Sequence, residues 1–325
     1  MVWSRVYRKS PGARSLSAEP TQRRLFLAML AAAGVGVQVG AATVATRYAI
    51  GETDPFTLGL WRYVIGVVCL LPFLLVREPV RFAARDLVPM ALLGIIQFGV
   101  LVALLNTALQ TISAARAALI FALFPALTML LAAIIGRERM TWPKSVGVAL
   151  AVAGVAIALG EQATSGNQSS LYGDLAMFAA ALCGALCSVL YGPYLKRYPA
   201  LAVGAFAMTC AAVSLGAAVW LIGQPLLHWP YSTTGSAAVV FIGLSSGLGY
   251  TALLWALANT TPTKVTVFQT LAPLAATGLG FLFLGEAVTV RFAIGLGVVV
   301  FGLWVAHWQS GTLATTSQPP SPELL

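Results

Sequence analysis

Ten times along this chain, about 18 to 23 residues run on with at most one charged side chain. The runs are 25–45, 56–76, 87–107, 115–135, 143–160, 171–191, 200–222, 236–258, 264–284 and 290–308. A helix rises about 1.5 Å per residue, so each run can cross a hydrocarbon core of about 30 Å. The strands of a membrane barrel alternate apolar and polar side chains, and these runs do not. The balance of residues agrees: 59% of 325 are hydrophobic and 9% are charged. A soluble domain is roughly a quarter charged. That excludes an ordinary soluble enzyme, a disordered chain and a coiled coil. The fold class expected is all-α integral membrane, with ten transmembrane helices.

Charge sets the orientation. With the N-terminus in the cytoplasm, fifteen of the nineteen Lys and Arg fall on the inner side. Arg47, Arg116 and Arg291 fall outside, and Arg62 lies within the second run. Such an excess of inner positive charge is what membrane insertion selects. Both termini are then cytoplasmic, in an inner or plasma membrane. Residues 1–23 read as a basic cytoplasmic tail. Arg5, Arg8, Lys9 and Arg14 precede an apolar run too long for a cleaved signal. Residues 161–170 read as an external linker, and 309–325 as a disordered cytoplasmic tail. The net charge of +9 therefore concerns the bilayer and its lipids. No aromatic-and-basic stripe points to nucleic acid.

The chain also repeats itself. Shifted by 148 residues, 105–158 matches 253–306 without a gap at twelve of 54 positions. The matches include Pro125 with Pro273, Glu138 with Glu286, Gly147 with Gly295 and Gly154 with Gly302, and Arg116 falls on Lys264. The units are 24–160 and 171–308. Each holds five runs, an odd number, so the second unit enters the membrane upside down. Inverted repeats are an architecture of alternating-access transporters, with the substrate near the midplane between them. Pro125 and Pro273 lie about nine residues into their runs, roughly 14 Å deep by helical rise. A proline inside a helix removes one hydrogen bond and frees the carbonyl four residues back, here that of Phe121 or Gln269. Freed backbone in a membrane needs protein or a water-filled cavity to receive it. Both prolines are expected to mark helix breaks on a transport path.

The repeats and their closing segments, Phe283–Gly302 (FLGEAVTVRFAIGLGVVVFG) and Ile134–Gly154 (IIGRERMTWPKSVGVALAVAG), resemble the drug/metabolite transporter superfamily, in its ten-helix EamA-type branch. The resemblance covers roughly residues 24–308. The first unit departs from the family pattern by reading Gly136-Arg137-Glu138 where the second has Gly285-Glu286. Arg291 replaces a commoner uncharged residue. The resemblance implies a central cavity lined by the first, third, fourth, sixth, eighth and ninth helices. It implies export of small metabolites, amino acids or xenobiotics.

On those helices polar side chains are few, and each is a candidate for contact with substrate. They are Gln38, Thr43, Gln97, Asn106, Thr128, Ser188, Tyr191, Ser245, Ser246, Tyr250, Gln269 and Thr270, with Trp255 and Phe268 as aromatic walls. Arg62 is a candidate counter-charge for an anionic or zwitterionic substrate, or a partner for Glu52 or Asp54. Arg116, Glu138, Lys264, Glu286 and Asp174 are candidates for gates at the helix ends. A mostly apolar pocket with a few convergent amides suits small organic or amphipathic molecules. The expected activity is secondary transport, outward, by alternating access.

Other classes need weighing. All ten acidic residues lie in loops, tails or helix ends, so no carboxylate relay crosses the membrane centre. Uniport, exchange or coupling through Asp174 stay open. A passive facilitator or channel would look similar. Gly243-Leu244-Ser245-Ser246-Gly247 fits G-x-S-x-G, the signature of a serine hydrolase. Its partner would be His307, but the two differ by about 12 Å in depth by helical rise. Cys183 and Cys187 share a helix face without two further metal ligands. No phosphate loop appears. No metal and no cofactor are expected, and assembly as a homodimer is left open.

Overall fold

The computed structural model describes residues 22–76, 79–137, 140–163, 168–225, 229–230, 232–259, 268 and 270–308. Among these, every regular element is helical. Eight helices among the described residues are long and apolar enough to cross a membrane. They are α1 (Gln22–Ala49), α2 (Pro55–Leu75), α3 (Ala84–Ala108), α4 (Ala114–Ile134), α5 (Trp142–Ala163), α6 (Gln168–Leu190), α7 (Ala200–Leu221) and α8 (Thr233–Asn259). Two shorter apolar helices follow, α9 (Leu271–Leu284) and α10 (Val290–Trp308). The sequence run expected at 264–284 is described as helix from Leu271, because 260–267 and 269 lie outside the described residues.

Local chemistry sets the ends. The Asp54 carboxylate accepts hydrogen bonds from the backbone N–H of Phe56 and Thr57, each at 3.0 Å. Pro55, lacking an N–H, sits where α2 needs none. Gly285 ends α9 in the left-handed region at φ +64°, a conformation open to glycine at little cost.

Among the described residues, α3 and α4 are irregular. The middle of α3, Ile95–Val100, is wound as a π-helix, a form found often at functional positions. Helix α4 is broken into Ala114–Phe121 and Phe124–Ile134, with Pro125 opening the second piece. The missing Pro125 N–H and the clash of its ring with the preceding turn account for this break.

Lipid chains are as apolar as leucine, so helices here must associate by close packing at small residues. The glycines show how. Between α5 and α10, Gly147 lies against Gly302 and Ala306, and Gly154 lies against Gly295 and Val299. The pair is therefore antiparallel. Gly36 of α1 packs on Phe268 and Leu271, and Gly40 packs on Ala272 and Ala275, so α1 and α9 run parallel. Gly243 and Gly247 of α8 pack on Ile65 and Cys69 of α2, and Gly94 and Gly99 of α3 pack on Ala207 and Ser214 of α7. Those pairs are parallel too. The 148-residue register turns the Gly66–Gly247 contact of α2 and α8 into the Ser214–Gly99 contact of α7 and α3.

Candidate functional site

The two prolines meet at one cavity. It has a volume of about 170 Å³ and is walled by Val35, Gly36 and Val39 of α1, Phe121, Phe124 and Pro125 of α4, Leu253 of α8, Pro273 of α9 and Leu303 of α10. Residues of both repeats therefore face each other across it. Phe121 and Phe124 stack with ring centroids 5.6 Å apart. The turn forced by Pro125 brings these two rings together. Thr270 supplies the polar side chain among the lining residues described. Just past each proline a threonine bonds back to its own helix. Thr128 Oγ1 donates to the Phe124 carbonyl at 2.8 Å, and Thr277 Oγ1 to that of Pro273 at 2.7 Å. Such back-bonding bends a helix.

A second space opens beside α4. Call the end where α1, α3 and α5 finish the far end, and the end where α2, α4 and α6 finish the near end. At the near end a cleft of about 650 Å³ is lined by residues of α4 and of the end of α6. Thr128 and Ser188 put hydroxyls on its wall, and Arg137, Lys196 and Arg197 put positive charge at its mouth. Arg137 also donates to the Val189 carbonyl. Arg197 donates to both oxygens of Asp86 at 3.2 Å, and the Tyr198 hydroxyl donates to Asp86 at 2.8 Å.

Charged side chains make the contacts at the far end. Arg116 forms a two-point ion pair with Asp174, Nε to Oδ1 at 2.6 Å, with Nη2 on Oδ2. Both side chains are buried or nearly so, at 9% and 15% exposure. Their mutual charge and hydrogen bonds offset the cost of leaving water. Glu286 accepts from the backbone N–H of Ala114 at 2.7 Å and Ala115 at 3.2 Å. Arg47 Nη1 donates to the Leu109 carbonyl and Arg291 Nε to that of Ile157, each at 2.8 Å. Glu52 accepts from the Ser232 backbone and hydroxyl.

The other polar candidates fall elsewhere. Gln38 Nε2 donates to the carbonyl and hydroxyl oxygens of Ser245. Arg62 Nε donates to Ser246 Oγ at 2.8 Å. These four side chains tie α1 and α2 to α8. Asn106 is buried and donates to the Pro55 carbonyl at 2.8 Å. Tyr250 lies over Gly204 and donates to the Ala200 carbonyl at 3.0 Å. Thr43 bonds to the Val39 carbonyl of its own helix. Trp255 is 43% exposed and borders neither space. Gln97 sits in the π-turn, and its buried Oε1 has no hydrogen-bond partner among the described residues. Gln269, Glu138 and Lys264 lie outside the described residues. Among the described residues, no group of three or more His, Cys, Asp or Glu is placed to hold a metal ion.

Sequence reasoning missed two features. It treated Phe121 as a freed carbonyl and overlooked its ring beside Phe124. It counted Arg137, Lys196 and Arg197 as orientation signals without placing them at one cleft. The Phe-x-x-Phe-Pro spacing was a signal for the first. Nothing local signalled the second, since Arg137 and Lys196 stand on different hairpins.

Known proteins place this architecture. The model of the EamA-like transporter family matches residues 26–160 and again 171–308. The "Uncharacterized transporter YyaM" of Bacillus subtilis is 28% identical over 281 residues, which is 84% of this chain and 91% of the relative. A protein of Streptantibioticus cattleyicolor named "Probable terminal-alkyne amino-acid exporter" is 29% identical, over 71% of this chain and 76% of its own length. The "Uncharacterized inner membrane transporter YedA" of Escherichia coli is 26% identical over 79% of this chain and 83% of its own. A solved crystal structure superposes with a TM-score of 0.63 at 23% identity, over 86% of this chain and 97% of that one. That likeness is one of fold.

Proposed function

This chain belongs to the EamA-like transporter family, and on that footing we propose that it exports small organic metabolites by alternating access, as a multi-pass membrane protein with both termini cytoplasmic. Two inverted five-helix repeats move against each other around the cavity between Pro125 and Pro273. That cavity, walled by α1 and α4 of one repeat and α8, α9 and α10 of the other, is the observation that carries the reading.

The antiparallel packing of α5 on α10 supports the inversion. The register makes these two helices equivalents, and equivalents that run in opposite directions are what an upside-down repeat requires. The parallel pairs α1–α9, α2–α8 and α3–α7 agree with strict alternation of ten crossings. On this topology the near end is cytoplasmic and the far end external. The open cleft between α4 and α6 then faces the cytoplasm, where an exporter loads.

Size and chemistry narrow the cargo. Drug sites are commonly about 300–1,000 Å³, and the enclosed cavity is about 170 Å³. Its walls are apolar and aromatic. A small molecule with an apolar side chain fits better than a bulky drug, and amino acids and their analogues are the leading class. The similarity to a protein named as an amino-acid exporter is in keeping with this. Thr270 with Gln269, and the Gln38–Ser245 and Arg62–Ser246 pairs, are the groups proposed to meet or flank the cargo's polar part.

The test is growth of overexpressing cells against a panel of amino acids, toxic analogues and dyes, followed by counterflow in liposomes. Saturable uptake accelerated by substrate on the opposite side is expected. Flux that neither saturates nor responds to counter-substrate would make the protein a facilitator.

A further inference from the structure

The far-end contact made by Glu286 joins the two repeats. Its carboxylate comes from the turn between α9 and α10, and its two donors open α4. The third free N–H of that first turn, on Arg116, is taken by Ser113 Oγ at 3.2 Å. A carboxylate at a helix N-terminus gains from both the charge-assisted bonds and the helix dipole. The site is shaped for it. Gly285 at φ +64° turns the chain, and the Glu286 N–H donates to the Gly280 carbonyl at 3.1 Å. A Cβ on Gly280 would stand 2.6 Å from Glu286 Oε2, so glycine is what leaves room for the carboxylate. Ala114 itself is fully buried, packed with Val44 and Ala276.

The register carries this arrangement to the other end with three changes. Glu286 maps on Glu138, but the donors Ala114 and Ala115 map on Pro262 and Thr263, and a proline has no N–H to give. Gly280, however, maps on Ala132, which has the Cβ that Gly280 lacks and lines the open cleft. Arg137 also adds one residue between glycine and glutamate.

We infer that Glu286 is a latch that holds the external side shut, and that Pro262, Ala132 and Arg137 leave the sequence without an equal latch for the cytoplasmic side. The inference rests on the alternating-access reading and adds a resting state to it. The empty carrier favours external-closed, cytoplasm-open, which suits loading from inside. Opening outward must pull Glu286 off the N-terminus of α4 and leave two N–H groups without partners.

The test uses the full chain in membrane vesicles, with Cys69, Cys183, Cys187 and Cys210 replaced and one reporter, Ala122→Cys, in the cavity wall. A membrane-impermeant maleimide is applied from either side. In the parent, labelling from the cytoplasmic side is expected to dominate. Glu286→Gln loses one acceptor oxygen and the charge, and is expected to raise external labelling about tenfold while cytoplasmic labelling falls. Gly280→Ala, which crowds the carboxylate and leaves Glu286 in place, is expected to act in the same direction. It guards against failure of Glu286→Gln to fold. An unchanged ratio in a folded variant overturns the latch. A reporter reached from neither side in the parent overturns alternating access itself, and the latch with it.

Discussion

The 148-residue register makes two contacts equivalent: α1 on α9 at the far end, and α6 on α4 at the near end. At the far-end contact Gly40 lies against the Ala272 carbonyl, Ala275 Cβ and Ala276 N, where no side chain fits. At the near-end one, Ser188 stands in the place of Gly40 and Thr128 in that of Ala276, and both line a cleft of about 650 Å³. The same backbone plan is therefore packed tightly at one end and leaves a cleft at the other. Small residues let the far-end helices approach closely. Hydroxyls and basic side chains line the space left between the near-end helices.

The sharpest way to break this comparison is accessibility. Ser188→Cys is expected to react with impermeant maleimide from the cytoplasmic side roughly a hundredfold faster than Ala275→Cys reacts from outside, given a minor state of about 1%. Equal rates would mean that the ends do not differ. Next comes the buried ion pair. Arg116→Ala or Asp174→Ala strands the partner's charge and is expected to cost about 3–5 kcal/mol, read as a fall in Tm in detergent. The double variant should recover part of that loss. Arg197→Ala, at the near end, removes a side chain that is 51% exposed, and a much smaller shift is expected.

The α5–α10 contact joins equivalent helices and should hold in both states. Gly154→Leu there forces backbone apart and is expected to cost about 1–3 kcal/mol. Gly34→Leu is the neutral control, since a Cβ added at Gly34 would meet nothing within 4 Å. A loss in both would point to general damage rather than to helix contact. The smallest effect concerns the cleft mouth. Lys196→Gln with Arg197→Gln is expected to slow export of anionic cargo about two- to fivefold by weakening local attraction, with neutral cargo unchanged. Equal slowing of both would place these residues in structure rather than in loading.

Much of the fold was legible because bilayer insertion is local. Whether about 20 residues cross depends on their own transfer free energies, so α4, expected at 115–135, is found at Ala114–Ile134. The α4 break was legible for the same reason: Pro125 lacks its N–H wherever the helix goes. The repeat was legible as an identity pattern. The candidate site was legible only in part. Pro125, Pro273 and Thr270 share the cavity, but Asn106 bonds to Pro55 and Tyr250 to Ala200, contacts between helices that no local spacing announces.

The amino-acid order on its own determined that this chain is a membrane protein of apolar helices, where its long helices lie and that its halves are related. Tertiary structure decided which polar groups meet. Gln38 finds Ser245 across 207 residues of chain, and Glu286 finds Ala114 across 172. The reason lies in the solvent. Lipid drives each apolar segment into the bilayer separately, but it does not drive one helix against another. Partners are chosen by the fit of small residues and by hydrogen bonds between distant segments, and those exist only once the helices have assembled.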